Sequence, residues 1–215
     1  GIIHRYNTIE FQSKLLGYVN HRDYRAAAIG ATGDYKERLA ELVNNDLNVV
    51  CIDIAHGDHI LMEKAIEFIR SQYPHLFVMA GNVATGHAYK RLAIAGAHAV
   101  RTSVGSGSIC TTRIQTGHGI PTFQAVLDCY EAKQEHLDSG KDWPTPYIIA
   151  DGGIKNSGDI VKSLAAGADF VMLGSMLSGT RETPGKVIMQ DGKKIKRYNG
   201  MASKAAQKNW KGTYN

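Results

Sequence analysis

Apolar runs of about five residues alternate with amphipathic stretches of about ten to thirteen along most of the chain, a rhythm few folds accept. The runs are Gly1–His4, Arg25–Gly30, Val49–Ile54, Leu76–Gly81, His98–Val100, Pro146–Asp151 and Phe170–Gly174. They read as strands. Between them, helices are expected over Ile9–Val19 with Thr8 as cap and Tyr35–Asn44 with Asp34 as cap, then over His59–Ser71, Thr85–Ala95, Thr122–His136 and Ser157–Ala166. Within His59–Ser71, residues Ile60, Leu61, Ala65, Ile66 and Ile69 share one face; in Ser157–Ala166, Ile160, Val161 and Leu164 are expected to pack inward. Leu137–Thr145 is polar and reads as a surface insertion. Asp191-Gly192 is a hairpin turn signal, and Ser203–Trp210 is expected to be helical.

Strand–helix alternation demands parallel βαβ units, which leaves an open doubly wound sheet or an α/β (β/α)8 TIM barrel. Polar or glycine residues recur where strands end: Asp53, Asn82, Gly105, Asp151 and Gly174. A barrel gathers all of them at one mouth, where barrel active sites lie. The expectation is therefore a barrel, here lacking its first strand because the chain opens directly on one. Its 215 residues, 43% hydrophobic and 21% charged, suit a single domain over 1–215. No apolar run is long enough for a membrane span and no signal peptide opens the chain. Cys51, Cys110 and Cys129 are too scattered for a disulfide framework or a zinc site, so a reducing cytoplasm is the expected setting. Net charge is +5, but apart from Lys193, Lys194, Lys196 and Arg197 the positive residues are dispersed, which supports nucleic-acid binding only weakly, and an anionic small substrate accounts for the balance as well.

Val104–Arg113 (V-G-S-G-S-I-C-T-T-R) reads as a strand handing over to a loop. Gly105 and Gly107 permit a tight turn, Ser106 and Ser108 supply hydroxyls, and Arg113 would favour the thiolate of Cys110. Cys110 is the candidate nucleophile; the plainer reading is a buried structural cysteine. Asp151-Gly152-Gly153 and Leu173-Gly174-Ser175 close consecutive strands, a pattern suited to phosphate, with Ser108 and Ser175 as hydroxyl donors and Asp151 accepting from ribose hydroxyls. The plainer reading is that these glycines only turn the chain. His56 and His59 lack the spacing of a metal site, so Asp53 is expected to face a cofactor or ribose instead. His118 reads as structural or solvated, and no G-x-G-x-x-G follows an early strand, which disfavours a Rossmann site.

Five blocks in order, I-D-I-A-H-G-D (Ile52–Asp58), A-G-N-V-A-T (Ala80–Thr85), G-S-G-S-I-C-T-T-R (Gly105–Arg113), I-A-D-G-G-I (Ile149–Ile154) and V-M-L-G-S-M-L (Val171–Leu177), resemble the IMP dehydrogenase/GMP reductase family. The resemblance implies a homotetrameric TIM-barrel oxidoreductase acting on a purine mononucleotide (GMP, IMP or XMP) with NAD(H) or NADP(H). It implies that Cys110 attacks C2 of the base and that Thr112 assists with protons. Ser108, Gly153, Gly174, Ser175 and Tyr198 would hold the 5′-phosphate, Asp151 the ribose, and Gly200 and Met201 the base. Asp53, Asn82 and Arg101 would face the cofactor or order the catalytic loop, and the carbonyls of Gly105, Gly107 and Cys110 would bind potassium. The family's inserted CBS pair is absent, and a flap is expected over about 181–215. Where dehydrogenases carry an Arg-Tyr pair in that flap, this chain reads Thr213-Tyr214-Asn215. The expected activity is therefore GMP reductase (GMP and NADPH to IMP, ammonia and NADP). The alternative is IMP dehydrogenase (IMP, NAD and water to XMP and NADH), which I-A-D-G-G-I and G-S-M-L-S-G-T resemble more closely. A truncated, non-catalytic nucleotide-binding barrel is the further alternative.

Overall fold

The computed structural model describes residues 1–140 and 144–200. One sheet holds β1 (Ala26–Ile29), β2 (Val49–Asp53), β3 (Phe77–Val83), β4 (Ala99–Thr102), β5 (Tyr147–Asp151) and β6 (Phe170–Met172). All neighbouring pairs are parallel, and their order across the sheet is their order along the chain. A doubly wound sheet reverses its direction of winding at a switch point. This one never reverses, so the sheet curls into a half-barrel.

The helices are α1 (Ile9–Gly17), α2 (Tyr35–Asn44), α3 (Ile60–Gln72), α4 (Gly86–Ala95), α5 (Thr112–Thr116), α6 (Thr122–Ser139) and α7 (Ser157–Ala165). Sheet residues Ile29, Ile52, Val78 and Val100 join Leu39, Ile66, Leu92 and Val126 of the helices in one fully buried core. Each such side chain contributes about 1.5–3 kcal/mol on burial. Helix starts are set by short polar side chains. Thr8 Oγ1 accepts from Phe11 N (3.2 Å), Thr85 Oγ1 from Ala88 N (3.2 Å) and Asn156 Oδ1 from Asp159 N (3.0 Å).

Several expectations need correction. Gly1–His4 is not a full strand: only Ile3 bridges to β1, through Ile3 N to Ala26 O (3.0 Å) and Ala28 N to Ile3 O (2.8 Å). Its companion in place of further pairing is Gln12, whose Nε2 donates to Ile3 O and Ala28 O. Asp34 does not cap α2 with its side chain; its carboxylate takes Arg38 Nη2 at 2.7 Å, and Arg38 Nη1 in turn donates to Gln12 Oε1. Leu137–Ser139 belong to α6 rather than to an insertion, and Gly140 ends the helix in the left-handed region. In α3 the buried face is Met62, Ala65, Ile66 and Ile69, while Ile60 and Leu61 are exposed. In α7 Val161 is 64% and Leu164 45% exposed, because this helix covers the free end of the sheet where no further βα unit packs on it among the described residues.

After β6, β7 (Val187–Gln190) and β8 (Lys193–Lys196) form the antiparallel hairpin that Asp191-Gly192 signals, with φ of 48° and 73° at the two turn residues. Lys196 is spent internally: its Nζ donates to Thr180 O (2.7 Å) and Thr183 O (2.6 Å). The helix expected over Ser203–Trp210 lies outside the described residues, as do Met201 and Thr213–Asn215. Among the described residues no helix is long and apolar enough to cross a membrane.

Candidate active site

The C-terminal ends of β2 to β5 meet around one side chain. Arg101, near the end of β4, is buried, and its guanidinium spans three neighbours. Nη2 and Nε donate to Asp151 Oδ2 on β5 (2.8 and 3.2 Å), and Nη1 donates to Asp53 Oδ1 on β2 (2.9 Å) and to Cys51 Sγ (3.2 Å). To reach β2 the guanidinium must cross β3. The register puts Gly81 between Asp53 and Arg101, and a Cβ there would stand 2.7 Å from the Cβ and carbonyl oxygen of Arg101. Only a residue without a side chain leaves that crossing open. Asn82, the next residue, donates Nδ2 to Asp151 Oδ2 at 2.9 Å.

Burial opposes the charge on Arg101, but the carboxylates of Asp151 and Asp53 outweigh it and hold the guanidinium firmly protonated. Burial also pushes the Cys51 thiol up against the pull of Arg101, so the sulfur facing the guanidinium is neutral and charge compensation falls to the two aspartates. Asp151 Oδ2 thus accepts three hydrogen bonds, whereas Oδ1 accepts none among the described residues. Arg5 adds a second cation at the rim, its Nε donating to Asp53 O (3.1 Å) and its guanidinium lying 4.7 Å from the Tyr6 ring centroid.

Asp53, Asn82, Arg101 and Asp151 line a pocket of about 280 Å³, together with Tyr6, Ser106 and Cys110. Cys110 is exposed, and its Sγ donates to Thr112 Oγ1 at 3.2 Å. Arg113 does not serve the thiol as the sequence suggested. It turns back to donate Nη2 to Ile120 O (3.0 Å), its stem lying against Gly105 and Gly119. Cys51 and Cys129 are buried, so Cys110 is the accessible thiol of the three. Ser108 is exposed and Ser175 half-buried, and neither hydroxyl makes a hydrogen bond among the described residues. Tyr198 Oη lies 2.8 Å from where a Cβ on Gly174 would stand, and Gly200 passes against Ile109 O beside Cys110. Gly153 borders the recess next to the Cys110 pocket. The Gly107 carbonyl already accepts Cys110 N at 3.0 Å, which leaves one lone pair for a cation there. No group of three or more His, Cys, Asp or Glu residues fit to hold a metal occurs among the described residues.

Sequence reading brought Asp53, Asn82 and Asp151 to the mouth, and the resemblance set Asp53, Asn82 and Arg101 toward the cofactor or the catalytic loop and Asp151 on the ribose; the structure joins the four to each other. It missed Arg5, Tyr6, Ser103 and Thr122. A larger recess of about 430 Å³ between α4 and α6 is lined by helix side chains such as Lys90, Glu131 and Glu135 and does not reach the thiol.

Fold and site define an α/β half-barrel whose mouth carries an exposed thiol and an Asp–Arg–Asp cluster centred on a buried arginine. Residues 1–215 match the IMP dehydrogenase / GMP reductase domain, and the chain belongs to that family. It is 47% identical over 180 residues to the inosine-5′-monophosphate dehydrogenase of Bacillus subtilis (strain 168), covering 84% of this chain and 35% of that protein. The same-named proteins of Nitrosopumilus maritimus (strain SCM1) and Aquifex aeolicus (strain VF5) are each 46% identical over 180 residues, covering 84% of this chain and 36% and 35% of theirs. The chain thus spans about a third of the length of these curated relatives.

Proposed function

We propose that this chain is the nucleotide-oxidising part of an IMP dehydrogenase, acting on IMP with NAD. The observation that carries this is the exposed Cys110 thiol sharing one pocket with Asp151, whose Oδ1 is left uncommitted. The relatives' names favour the dehydrogenase over the reductase expected from the sequence. The reductase reading rested on Thr213-Tyr214-Asn215, outside the described residues. It is not carried forward.

In this reading the 5′-phosphate is held by Ser108, Gly153, Gly174, Ser175 and Tyr198, the ribose hydroxyls donate to Asp151 Oδ1, and the base lies against Gly200 and Met201. Cys110 Sγ bonds to C2 of the purine as the C2=N3 π bond opens, making that carbon tetrahedral, and the thiol proton ends on N3, with the Thr112 hydroxyl relaying it. The nicotinamide cofactor, when bound, accepts the hydride leaving C2. Water then replaces sulfur at C2, giving XMP and restoring the thiol. Asp53 and Asn82 border the cofactor's end of the pocket, and Arg101 holds both aspartates in place. Potassium is assigned to the carbonyls of Gly105, Gly107 and Cys110. The complete protein is a homotetramer of closed (β/α)8 barrels with a flap over about 181–215, working in the cytoplasm.

The test is spectrophotometric. Full-length protein is expected to form NADH from IMP and NAD in a potassium-stimulated reaction. GMP-dependent loss of NADPH without NADH formation from IMP would restore the reductase. IMP binding with neither reaction would leave a nucleotide-binding module.

A further inference from the structure

A cluster of hydroxyls lies just beneath the site, and the chemistry above makes no use of it. Ser103, at the junction of β4 with the cysteine loop, is buried and has φ of 97°, a region that non-glycine residues occupy at a cost of roughly 1–3 kcal/mol. Its Oγ donates to Ser106 Oγ (2.6 Å), and Ser106 Oγ donates to Ile120 O (2.9 Å). Thr122, the first residue of α6, has its Oγ1 3.1 Å from Ser103 Oγ and 2.8 Å from Gly152 O, donating toward both. Each hydroxyl carries one proton: Thr122 shares its own between Gly152 O, the shorter contact, and Ser103 Oγ, while Ser103 donates to Ser106 and Ser106 to Ile120. The loops are also in direct contact. A Cβ on Gly152, where φ is 92°, would lie 3.0 Å from Gly107 N and 3.2 Å from the carbonyl carbon of Ser106, so Gly152 is seated on the turn that presents Cys110. That turn closes through Cys110 N to Gly107 O (3.0 Å).

A strained residue persists where its surroundings over-determine it; here Ser103 N donates to Val83 O (2.8 Å), and the hydroxyl cluster holds the side chain. The cluster joins two loops with different tasks: Asp151-Gly152-Gly153, at the ribose and phosphate end, and Gly105–Cys110, which carries the thiol. We propose that Ser103, Ser106 and Thr122 are positioning residues that lock the Cys110 turn to the Gly152–Gly153 loop, so that filling the ribose–phosphate end changes the reactivity of the thiol. The second half rests on the nucleotide reading above; the first half does not.

The readout is the rate at which iodoacetamide alkylates Cys110, followed on the peptide that carries it; Cys51 and Cys129 are buried. In unliganded full-length protein, Thr122→Val is expected to alkylate about three- to tenfold faster than wild type, the factor expected from one lost hydrogen bond. Thr122→Ser should restore the wild-type rate. Ser103→Gly removes a hydroxyl but relieves the backbone, so it should be at least as stable thermally as wild type yet alkylate faster. A merely structural serine would not separate those two outcomes. The ligand probe is ribose 5-phosphate, which carries phosphate and ribose hydroxyls but no base to cover the thiol. At concentrations that displace IMP, it should slow alkylation in wild type and in Thr122→Ser but not in Thr122→Val. Alkylation in Thr122→Val and Ser103→Gly at the wild-type rate would overturn the lock. Equal slowing by ribose 5-phosphate in wild type and Thr122→Val, or none in wild type, would overturn the coupling. Failure of IMP to bind wild type would overturn the nucleotide reading and the coupling together, while the unliganded rates still decide the lock.

Discussion

Two side chains in the pocket are assigned opposite dependences, which makes them a useful pair. Among the described residues the Cys110 thiol makes one hydrogen bond, to Thr112, and the ribose and most of the phosphate contacts are assigned to other loops. Cys110→Ala should therefore abolish NADH formation while leaving the dissociation constant for IMP within about twofold, since no charged hydrogen bond is lost. Asp151→Ala should instead weaken IMP binding by about 1.5–3 kcal/mol, the usual worth of hydrogen bonds to a charged group. Isothermal titration of both variants checks this, and an unchanged IMP affinity in Asp151→Ala would rule out the ribose assignment. That these residues lie at the mouth was legible in the sequence, because strand ends can be counted. That Arg101 clamps Asp53 and Asp151 was not. The pairing crosses an intervening strand and depends on Gly81 falling in register between them, which no local pattern encodes.

Among elements, the long periodic ones followed the sequence and the short or marginal ones did not. α5 covers only Thr112–Thr116, too few residues to show a period, and the sequence gives no apolar face from which to infer it. Val161 and Leu164 of α7 carry a core-like pattern, yet they point to solvent because pattern reports what a helix could bury rather than what lies beside it. At the N-terminus a buried polar network does what strand pairing was expected to do. Gln12, fully buried, donates to Ile3 and Ala28 carbonyls and accepts from Arg38, whose Nη2 also reaches Asn7 O (3.0 Å). Removing one member strands the others, so Gln12→Ala should cost about 1–3 kcal/mol in chemical denaturation. It should also loosen residues 3–6, which deliver Arg5 and Tyr6 to the pocket. A variant as stable as wild type would show that the network is dispensable.

At the scale of the molecule, two histidines that act as acceptors contribute to the pH response, His98 half-buried and His4 more exposed. His98 Nδ1 takes Val78 N (2.9 Å), and His4 Nδ1 takes Tyr6 N (3.2 Å). Burial lowers both below their ordinary 6.5, with Arg70 adding to the effect at His98. A lowered folded-state pKa means that the unfolded chain binds the proton more readily. The stability tied to the neutral rings is therefore whole above pH 6.5 and drains away as pH falls below it. Thermal midpoints measured downward from pH 7.5 should fall below 6.5, and His98→Gln, which keeps an acceptor but cannot titrate there, should flatten part of that slope. A wild-type midpoint constant down to pH 5 would exclude this account.

The order of the strands bears on how the chain is assembled. Each strand from β2 to β6 pairs with the one made immediately before it, the longest step being from Ala99 to Tyr147. Within these six strands each new strand and its helix are added to an edge already standing. Shortening the chain from its C-terminus should accordingly remove strands one at a time from that edge and leave every earlier register in place.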